Sequence, residues 1–188
     1  MKILIALTGG SGVIYAKRLI DVLTEKLETP PDLIISDVAN GILKDELSLD
    51  SSYFVEKGCR IFSNKDFYTP PASGSASYDS MVIVPASACT IGKISSGVCD
   101  NLVTRAADVF LKERRNLVIV PRETPLNIIH LENLLTLTKA GATILPASPG
   151  FYHNPKEIGD LVDFIVDRIL SHLKLDIRLM NSWGEKGD

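Results

Sequence analysis

Three glycines and a serine lie between the first apolar run of the chain and the first segment with helical spacing. These residues, Gly9, Gly10, Ser11 and Gly12, are small enough to let backbone N–H groups approach an anion. The start of a helix adds partial positive charge, which makes the turn a candidate phosphate site. It is not a dinucleotide fingerprint, because Tyr15 stands at the third glycine position, and it is not a Walker A loop. A glycine-rich turn without a ligand is the alternative.

A second turn of small and hydroxyl-bearing residues, PASACT, occupies residues 85–90. Ser87 and Thr90 stand at the start of a predicted helix, where they could cap it or bind a phosphate. Two such turns after neighbouring strands favour a mononucleotide such as FMN over an extended dinucleotide.

Basic residues form a second group with possible chemistry. Arg105 and Lys112 are seven residues apart, so they share one face of a helix about two turns apart. Arg122 ends a predicted strand, and Arg168 lies in a helix that also carries aspartates. These cations could bind a phosphate, but a local ion pair, such as Arg105 with Asp108, is an equal alternative. No DDxxD run or H-x-x-x-H motif indicates a metal site.

The segments that must position these residues alternate between strands and helices. Strands are predicted near residues 2–7, 32–36, 59–62, 80–84, 116–121 and 142–145. Helices are predicted at residues 12–27, 37–47, 87–96, 101–114, 127–139 and 155–173. Strands that are almost wholly apolar are typical of a parallel sheet buried on both faces. The order predicts a single-domain α/β fold with a doubly wound, Rossmann- or flavodoxin-like parallel sheet in three layers, α/β/α.

Unusual polar residues recur where the predicted strands end, which is where open parallel sheets bind ligands. We therefore expect one crevice along this edge, and it includes Ser36 after the second strand. Two segments interrupt the alternation: the loop at 63–80 and the tail from residue 174. The predicted organisation is a flavoprotein domain over 1–173 and a tail over 174–188 that packs on a neighbouring subunit.

The composition argues against several classes of protein. The 188 residues are 45% hydrophobic and 23% charged, with a formal net charge of −3, which is not typical of a nucleic-acid binder. The apolar runs are far shorter than the roughly 20 residues of a membrane span, and no signal peptide is evident, so we expect a cytoplasmic protein. Cys59, Cys89 and Cys99 form no CxxC spacing, which predicts free thiols.

From Lys2 to about Glu185, the chain resembles the UbiX flavin prenyltransferases. The resemblance is carried by a series of motifs in order: TGGSG (8–12), PPASGS (70–75), DNLVTRAADVFLKERR (100–115), VPRETPLN (120–127), HLENLLTL (130–137), PGFYHNP (149–155), DLVDFIVDRIL (160–170) and WGE (183–185). It implies transfer of a dimethylallyl group from dimethylallyl monophosphate to N5 and C6 of reduced FMN. The prenylated FMN would serve a UbiD-type decarboxylase in ubiquinone biosynthesis or aromatic acid metabolism.

The resemblance also implies roles for individual residues. It implies FMN contacts from Gly9, Gly10, Ser11, Ser36, Ser87, Ala88, Cys89, Thr90 and Arg122. It implies that the prenyl phosphate is bound, partly from different subunits of a dodecamer, by Arg105, Lys112, Glu123, Tyr152 and Arg168. It links the chemical step or closure of the site with Ser11, Glu46, Lys112, Glu123 and Trp183. Gly74 could let the backbone approach the flavin or the prenyl group, or could belong to a rigid turn.

The implied chemistry suits these residue types. Phosphate leaves an allylic carbon more easily when cations such as Arg105, Lys112 and Arg168 stabilise the charge on its oxygens. A monophosphate can be handled in this way without magnesium. The Tyr152 hydroxyl would be a further donor to that phosphate.

Two residues keep alternative interpretations. Trp183 could stabilise allylic cation character by a cation–π contact of about 0.5–2 kcal/mol, or could anchor a subunit interface. Glu123 could move a proton from the flavin, or could orient Arg122 by an ion pair.

Three other functions are possible. Flavin-dependent cysteine decarboxylases share the architecture, but they use a histidine before the middle strand and a Pro-x-Met-Asn motif. Here residues 63–80 contain no histidine, and PRETPLN contains no methionine. A non-catalytic flavin carrier would have no use for the cations, and a direct aromatic acid decarboxylase would need a separate base.

Overall fold

Six parallel strands form a sheet in the computed structural model, which describes residues 1–180. The strands are β1 (Ile3–Leu7), β2 (Asp32–Ile35), β3 (Arg60–Ser63), β4 (Ser80–Ala86), β5 (Asn116–Pro121) and β6 (Thr143–Ile144). Their order is β3-β2-β1-β4-β5-β6, and all neighbouring pairs are parallel. The chain winds outward in opposite directions from the central β1 and β4, so the switch point of the topology lies between these two strands.

Helices cover both faces of the sheet. They are α1 (Val13–Lys26), α2 (Asp37–Leu47), α3 (Ser52–Glu56), α4 (Ala88–Ser95), α5 (Leu102–Lys112), α6 (Ile128–Lys139) and α7 (Ile158–His172). The predicted doubly wound fold is confirmed, and the predicted strands and helices agree with the structure to within a few residues. The sequence did not predict the five-residue helix α3 or the 3-10 turn at Pro70–Ala72.

Two apolar clusters hold the three layers together. On one face, α1, α2, α3 and α7 pack against the sheet, and on the other face α4, α5 and α6 do. The side chains of β1 alternate between the two clusters, with Ile5 and Leu7 in the first and Leu4 and Ala6 in the second. Because both faces are covered, β1 is wholly buried, which explains its uninterrupted apolar sequence.

The segment after α7, up to residue 180, packs against the core of its own chain. Leu175, Ile177 and Leu179 pack against the cluster that contains α1 and α7. The backbone N–H of Leu179 donates to the buried carboxylate of Asp167 at 2.8 Å. Residues 181–188 lie outside the described residues, so the packing of the tail on a neighbouring subunit stays a prediction. No helix within residues 1–180 has the length and apolar character needed to cross a bilayer.

Candidate active site

A cavity of about 270 Å³ lies at the carboxyl ends of β1, β2 and β4, beside the switch point of the sheet. Its lining includes five residues with an implied FMN contact: Gly9, Ser36, Ser87, Cys89 and Thr90. The other lining residues are Thr8, Val38, Asn64, Lys93, Asn101 and Val103. The structure thus brings the turns after four strands, β1 to β4, into one concave surface at the edge where a crevice was expected.

Three helices start at this cavity. Ser36 caps α2, Ser87 caps α4 and Asn101 caps α5, and each cap side chain accepts the N–H of the residue three positions later at 3.1–3.2 Å. A helix start carries N–H groups without intrahelical partners and about half a positive charge. Three such starts around one cavity create a favourable environment for an anion such as a phosphate.

The buried hydroxyl of Thr8 fixes the start of α4 relative to the glycine turn. It donates to the carbonyl of Pro85 at 2.8 Å and accepts the N–H of Ser87 at 2.8 Å. Thr8 is 2% exposed, and its bond to Pro85 is buried, whereas the bond from Ser87 is part-buried. Sequence reasoning missed this residue, although a hydroxyl at the end of an apolar strand was a signal that could have identified it.

Asn64 similarly fixes the start of α5. Its carbonyl accepts the N–H of Leu102 at 2.8 Å, and its Oδ1 accepts the N–H of Val103 at 3.0 Å. Asn64 follows β3, so it connects the loop at 63–80 to the cavity. The loop at 63–80 stands out in the sequence as an interruption of the alternating elements, but Asn64 itself does not.

At the start of α1, the glycine turn binds the carboxylate of a glutamate from the same chain. Gly12 begins the helix with a φ of +96°, in the left-handed region that favours glycine. Both carboxylate oxygens of Glu46 accept the N–H of Gly12, at 3.0 and 3.2 Å, and one also accepts the N–H of Val13 at 3.2 Å. An exposed glutamate from the end of α2 thus occupies these N–H groups in this structure, and phosphate binding at the glycine turn stays a prediction.

The rest of the glycine turn packs closely against its neighbours. A Cβ atom on Gly9 would lie 2.9 Å from Val38 Cγ1, and one on Gly10 would lie 3.4 Å from Pro85 Cβ. Glycine at position 9 is therefore required if Val38 is to line the cavity as it does. The carbonyl of Ser11 accepts the Nε–H of Arg122 at 3.2 Å, which connects the ends of β1 and β5.

Glu123 lies beside Ala88, one of the residues with an implied FMN contact. Together with Ala88 and Pro121 it borders a narrow crevice of about 10 Å³, whose other side is formed by α6 and the segment before it. Its carboxylate accepts the N–H of Thr124 at 3.2 Å. Glu123 is exposed, so proton exchange with solvent or with a ligand is sterically open.

The basic residues of α5 form a separate group. The Nε–H of Arg105 donates to the carbonyl of Ala72 at 3.1 Å, and its Nη1 binds Asp108 at 3.1 Å, so the predicted local pair is present. Lys112 contacts Glu113, and a Cβ atom on Gly74 would lie 3.0 Å from Lys112 Nζ. Gly74 therefore lets the segment at 70–76 lie directly on the end of α5.

Tyr152 and Arg168 belong to the α7 side of the molecule. The Tyr152 ring packs edge-on against Phe164, with centroids 5.7 Å apart, and against His153 at 5.8 Å. His153 in turn stacks on Phe164 at 5.6 Å. Arg168 is exposed on α7.

The residues with an implied role in binding the prenyl phosphate are not gathered within one chain. α5 lies on one face of the sheet and α7 on the other. α5 starts at the cavity, so Lys112, its last residue, lies about 15 Å further along the helix axis. Arg168 is similarly about 15 Å from the start of α7. Trp183 lies outside the described residues.

Lys93 is the only one of the described lining residues with a charged side chain. Its Nζ donates to Asp100 Oδ2 at 2.6 Å. This hydrogen bond lowers the pKa of Asp100 and raises the pKa of Lys93. Within residues 1–180 no group of three or more His, Cys, Asp or Glu side chains could hold a metal ion.

Residues 1–170 match the Flavoprotein family. The whole chain is similar to the flavin prenyltransferase UbiX of Methanocaldococcus jannaschii, with 46% identity over 98% of this chain and 99% of the relative. A crystal structure of AnUbiX (PadA1) in complex with FMN and dimethylallyl pyrophosphate aligns with a TM-score of 0.89 and 40% identity, covering 97% and 98% of the two chains. The dodecameric FMN-dependent UbiX-like decarboxylase of Escherichia coli O157:H7 aligns with a TM-score of 0.90 and 35% identity, covering 93% and 96%.

Proposed function

The chain belongs to the UbiX family of flavin prenyltransferases, and from this premise we propose that it prenylates FMN in a site that neighbouring copies of the chain complete. It is a transferase with FMN as the acceptor. The observation that carries the proposal is the cavity at the β1–β4 switch point, where three helix starts surround a space suited to a phosphate.

The residues around the cavity fit FMN. The starts of α2 and α4, at Ser36 and Ser87, would bind its phosphate through backbone N–H groups. Gly9, Gly10 and Ser11 would lie along the flavin, because Glu46 already occupies the N–H groups at the start of α1. Ala88, Cys89 and Thr90 continue the same surface, and Arg122 closes it from β5. Reduced FMN supplies the nucleophile that attacks the prenyl carbon.

Arg105, Lys112, Arg168 and Tyr152 would bind the phosphate of the prenyl donor. Their charges and the phenol hydroxyl stabilise the leaving oxygens more strongly as negative charge grows there, which is how such groups accelerate a displacement. We propose dimethylallyl monophosphate as the donor, because three cations and a phenol suffice for one phosphate. Gly74 would bring the backbone at 70–76 close to this donor.

The acidic residues would move protons or order the site. Glu123, exposed beside Ala88, would take a proton from the flavin after bond formation. Glu46 would position Ser11 by fixing the start of α1. For Trp183 we propose a position over the prenyl group, where its ring excludes water and faces developing positive charge.

The position of α5 and α7 on opposite faces of the sheet supports a homo-oligomer, in which residues from neighbouring chains would complete one site. We propose a dodecamer, in line with the assembly of the similar Escherichia coli protein, with the tail at 174–188 contributing to the contacts. The product would pass to a UbiD-type decarboxylase in ubiquinone biosynthesis or aromatic acid metabolism. We also propose a cytoplasmic location.

The test is to reduce the FMN-loaded protein without oxygen, add dimethylallyl monophosphate, and weigh the flavin by mass spectrometry. A gain of one C5H8 unit is expected, and an unchanged flavin mass would contradict transferase activity while leaving FMN binding intact. Dimethylallyl pyrophosphate in a parallel reaction tests the donor preference. Release of carbon dioxide from an aromatic acid without a partner protein would instead indicate a decarboxylase.

Two variants separate the halves of the proposed site. Lys112→Ala and Arg168→Ala remove charges assigned to the prenyl phosphate, so we expect prenylation to fall at least ten-fold while FMN affinity stays near that of the unchanged protein. Equal loss of both properties would contradict this assignment.

A further inference from the structure

Lys93 occupies a position at the cavity to which neither the motifs nor the family resemblance assigns a role. It is the sixth residue of the eight-residue helix α4, and its side chain is 35% exposed. Its ammonium group is held by Asp100, the residue just before the cap of α5. The pair thus connects the last turn of α4 to the segment that leads into α5, and Lys93 itself lines the cavity.

The positive charge available at the cavity can be compared with the negative charge of a phosphate, and Lys93 contributes to that positive charge. Each helix start contributes only about half a positive charge, whereas a phosphate monoester carries close to two negative charges at neutral pH. The remaining described lining residues are neutral. The three helix starts together supply about 1.5 positive charges, and Lys93 is the lining residue that can supply the rest.

We propose that Lys93 is a binding residue for the phosphate of FMN, and that Asp100 holds its ammonium group beside the cavity until the flavin enters. This inference rests on the proposed function, since it takes FMN as the ligand. On binding, the ammonium group exchanges a carboxylate for a phosphate, and no covalent bond changes. Asp100 is itself fixed, because its Oδ1 accepts an N–H from the side chain of Asn101 at 2.8 Å.

An exchange of Asp100 for the phosphate is consistent with the weakness of the Lys93–Asp100 pair at the cavity. Exposed ion pairs contribute little to stability, commonly about 0–1 kcal/mol, so breaking this pair costs little. An ammonium group at a cavity also attracts phosphate before contact, which raises the rate of association at low salt. Asp100 opposes binding to the extent that it competes for the same ammonium group.

The test compares FMN with riboflavin, which is the same flavin without the phosphate. Lys93→Ala should weaken FMN binding roughly ten-fold or more and leave riboflavin binding unchanged, because only FMN presents a charged partner. Lys93→Arg should retain most of the FMN affinity. Asp100→Asn, which keeps the acceptor for Asn101, should tighten FMN binding several-fold. Dissociation constants come from titration of flavin fluorescence in the oxidised state, so turnover is not needed.

Lys17→Ala is the matched control. It also removes one positive charge and one lysine–aspartate pair, at 2.7 Å, but on α1 outside the cavity. FMN affinity should be unchanged in this variant.

The inference is overturned if Lys93→Ala weakens FMN and riboflavin equally, since the lysine would then support the fold, or if it weakens neither. Either result leaves the proposed function untouched. Failure of the unchanged protein to bind FMN would contradict the proposed function itself, so the two failures can be told apart.

Discussion

At the scale of single residues, Thr8 connects the end of β1 to the start of α4 by two hydrogen bonds of 2.8 Å. The N–H of Ser87 depends on the Thr8 hydroxyl, and the position of Ser87 in turn sets the cap of α4. A buried hydroxyl can therefore affect ligand binding without lying against the ligand.

We expect Thr8→Val, which keeps the shape but removes the hydroxyl, to lower the free energy of unfolding by about 1–2 kcal/mol, because the buried Pro85 carbonyl loses its donor and the part-buried Ser87 N–H loses its acceptor. FMN affinity should fall as well, since the start of α4 is no longer fixed. Thr8→Ser retains the hydroxyl and should bind FMN like the unchanged protein. Urea unfolding and flavin titration measure both effects, and an unaffected Thr8→Val would contradict the role given to this bond.

At the scale of elements, α7 begins with a cap that also orders the segment before it. The carboxylate of Asp160 accepts the N–H of Lys156 at 2.6 Å and that of Glu157 at 3.2 Å. The two hydrogen bonds from backbone N–H groups lower the pKa of Asp160 below its ordinary value of 3.8, and the bond from Lys156 has the larger effect. The segment that they hold carries Tyr152, so the cap contributes to the placement of a residue proposed to bind substrate.

The lowered pKa predicts a pH dependence. A carboxyl group whose pKa is lower in the folded state stabilises the protein above its ordinary pKa, and this contribution is lost as the pH falls through the folded value. Between pH 5 and 3, the stability of Asp160→Ala should therefore decrease less steeply than that of the unchanged protein in urea unfolding. Asp160→Asn, which keeps an acceptor but no charge, should show the same shallow slope and be the more stable variant at pH 7. An unaltered slope in both would contradict the prediction.

The sequence predicted the long elements because their apolar residues recur with a clear period, and it predicted Ser36 and Ser87 because they follow buried strands. It could not predict α3, since this five-residue helix depends on the tertiary burial of Phe54. Nor could it predict that Glu46 binds the N–H of Gly12, a contact between residues 34 positions apart that requires the path of α2. Lys93 was missed because a lysine in the last turn of a helix is common, and the sequence does not show that its side chain borders the cavity.

At the scale of the whole molecule, the sheet separates the residues assigned to the prenyl phosphate. Lys112 and Arg168 belong to helices on opposite faces, and each lies about 15 Å from the first residue of its helix. A flavin held by one chain therefore needs side chains from another, if both residues serve it.

A mixing experiment tests this requirement. Ser87→Asp keeps a good helix cap but places a negative charge in the phosphate cavity, and Lys112→Ala leaves the cavity intact, so each variant alone should be nearly inactive. When the two are co-expressed, random assembly should give intact sites at roughly a quarter of positions, and activity should return to that extent. Mixing the separately assembled oligomers is the control. Activity no greater than the sum of the two variants would indicate that each site lies within a single chain.

The carboxylate of Glu46 at the start of α1 affects which end of an elongated ligand can bind near Gly12, at the edge of the sheet. FMN carries its negative charge at one end and its ring system at the other. If the charged end approached Gly12, it would meet a like charge where N–H groups would otherwise attract it. In the proposed complex, repulsion at Gly12 thus disfavours the reversed flavin, while the helix starts at the cavity favour the orientation in which the phosphate enters there.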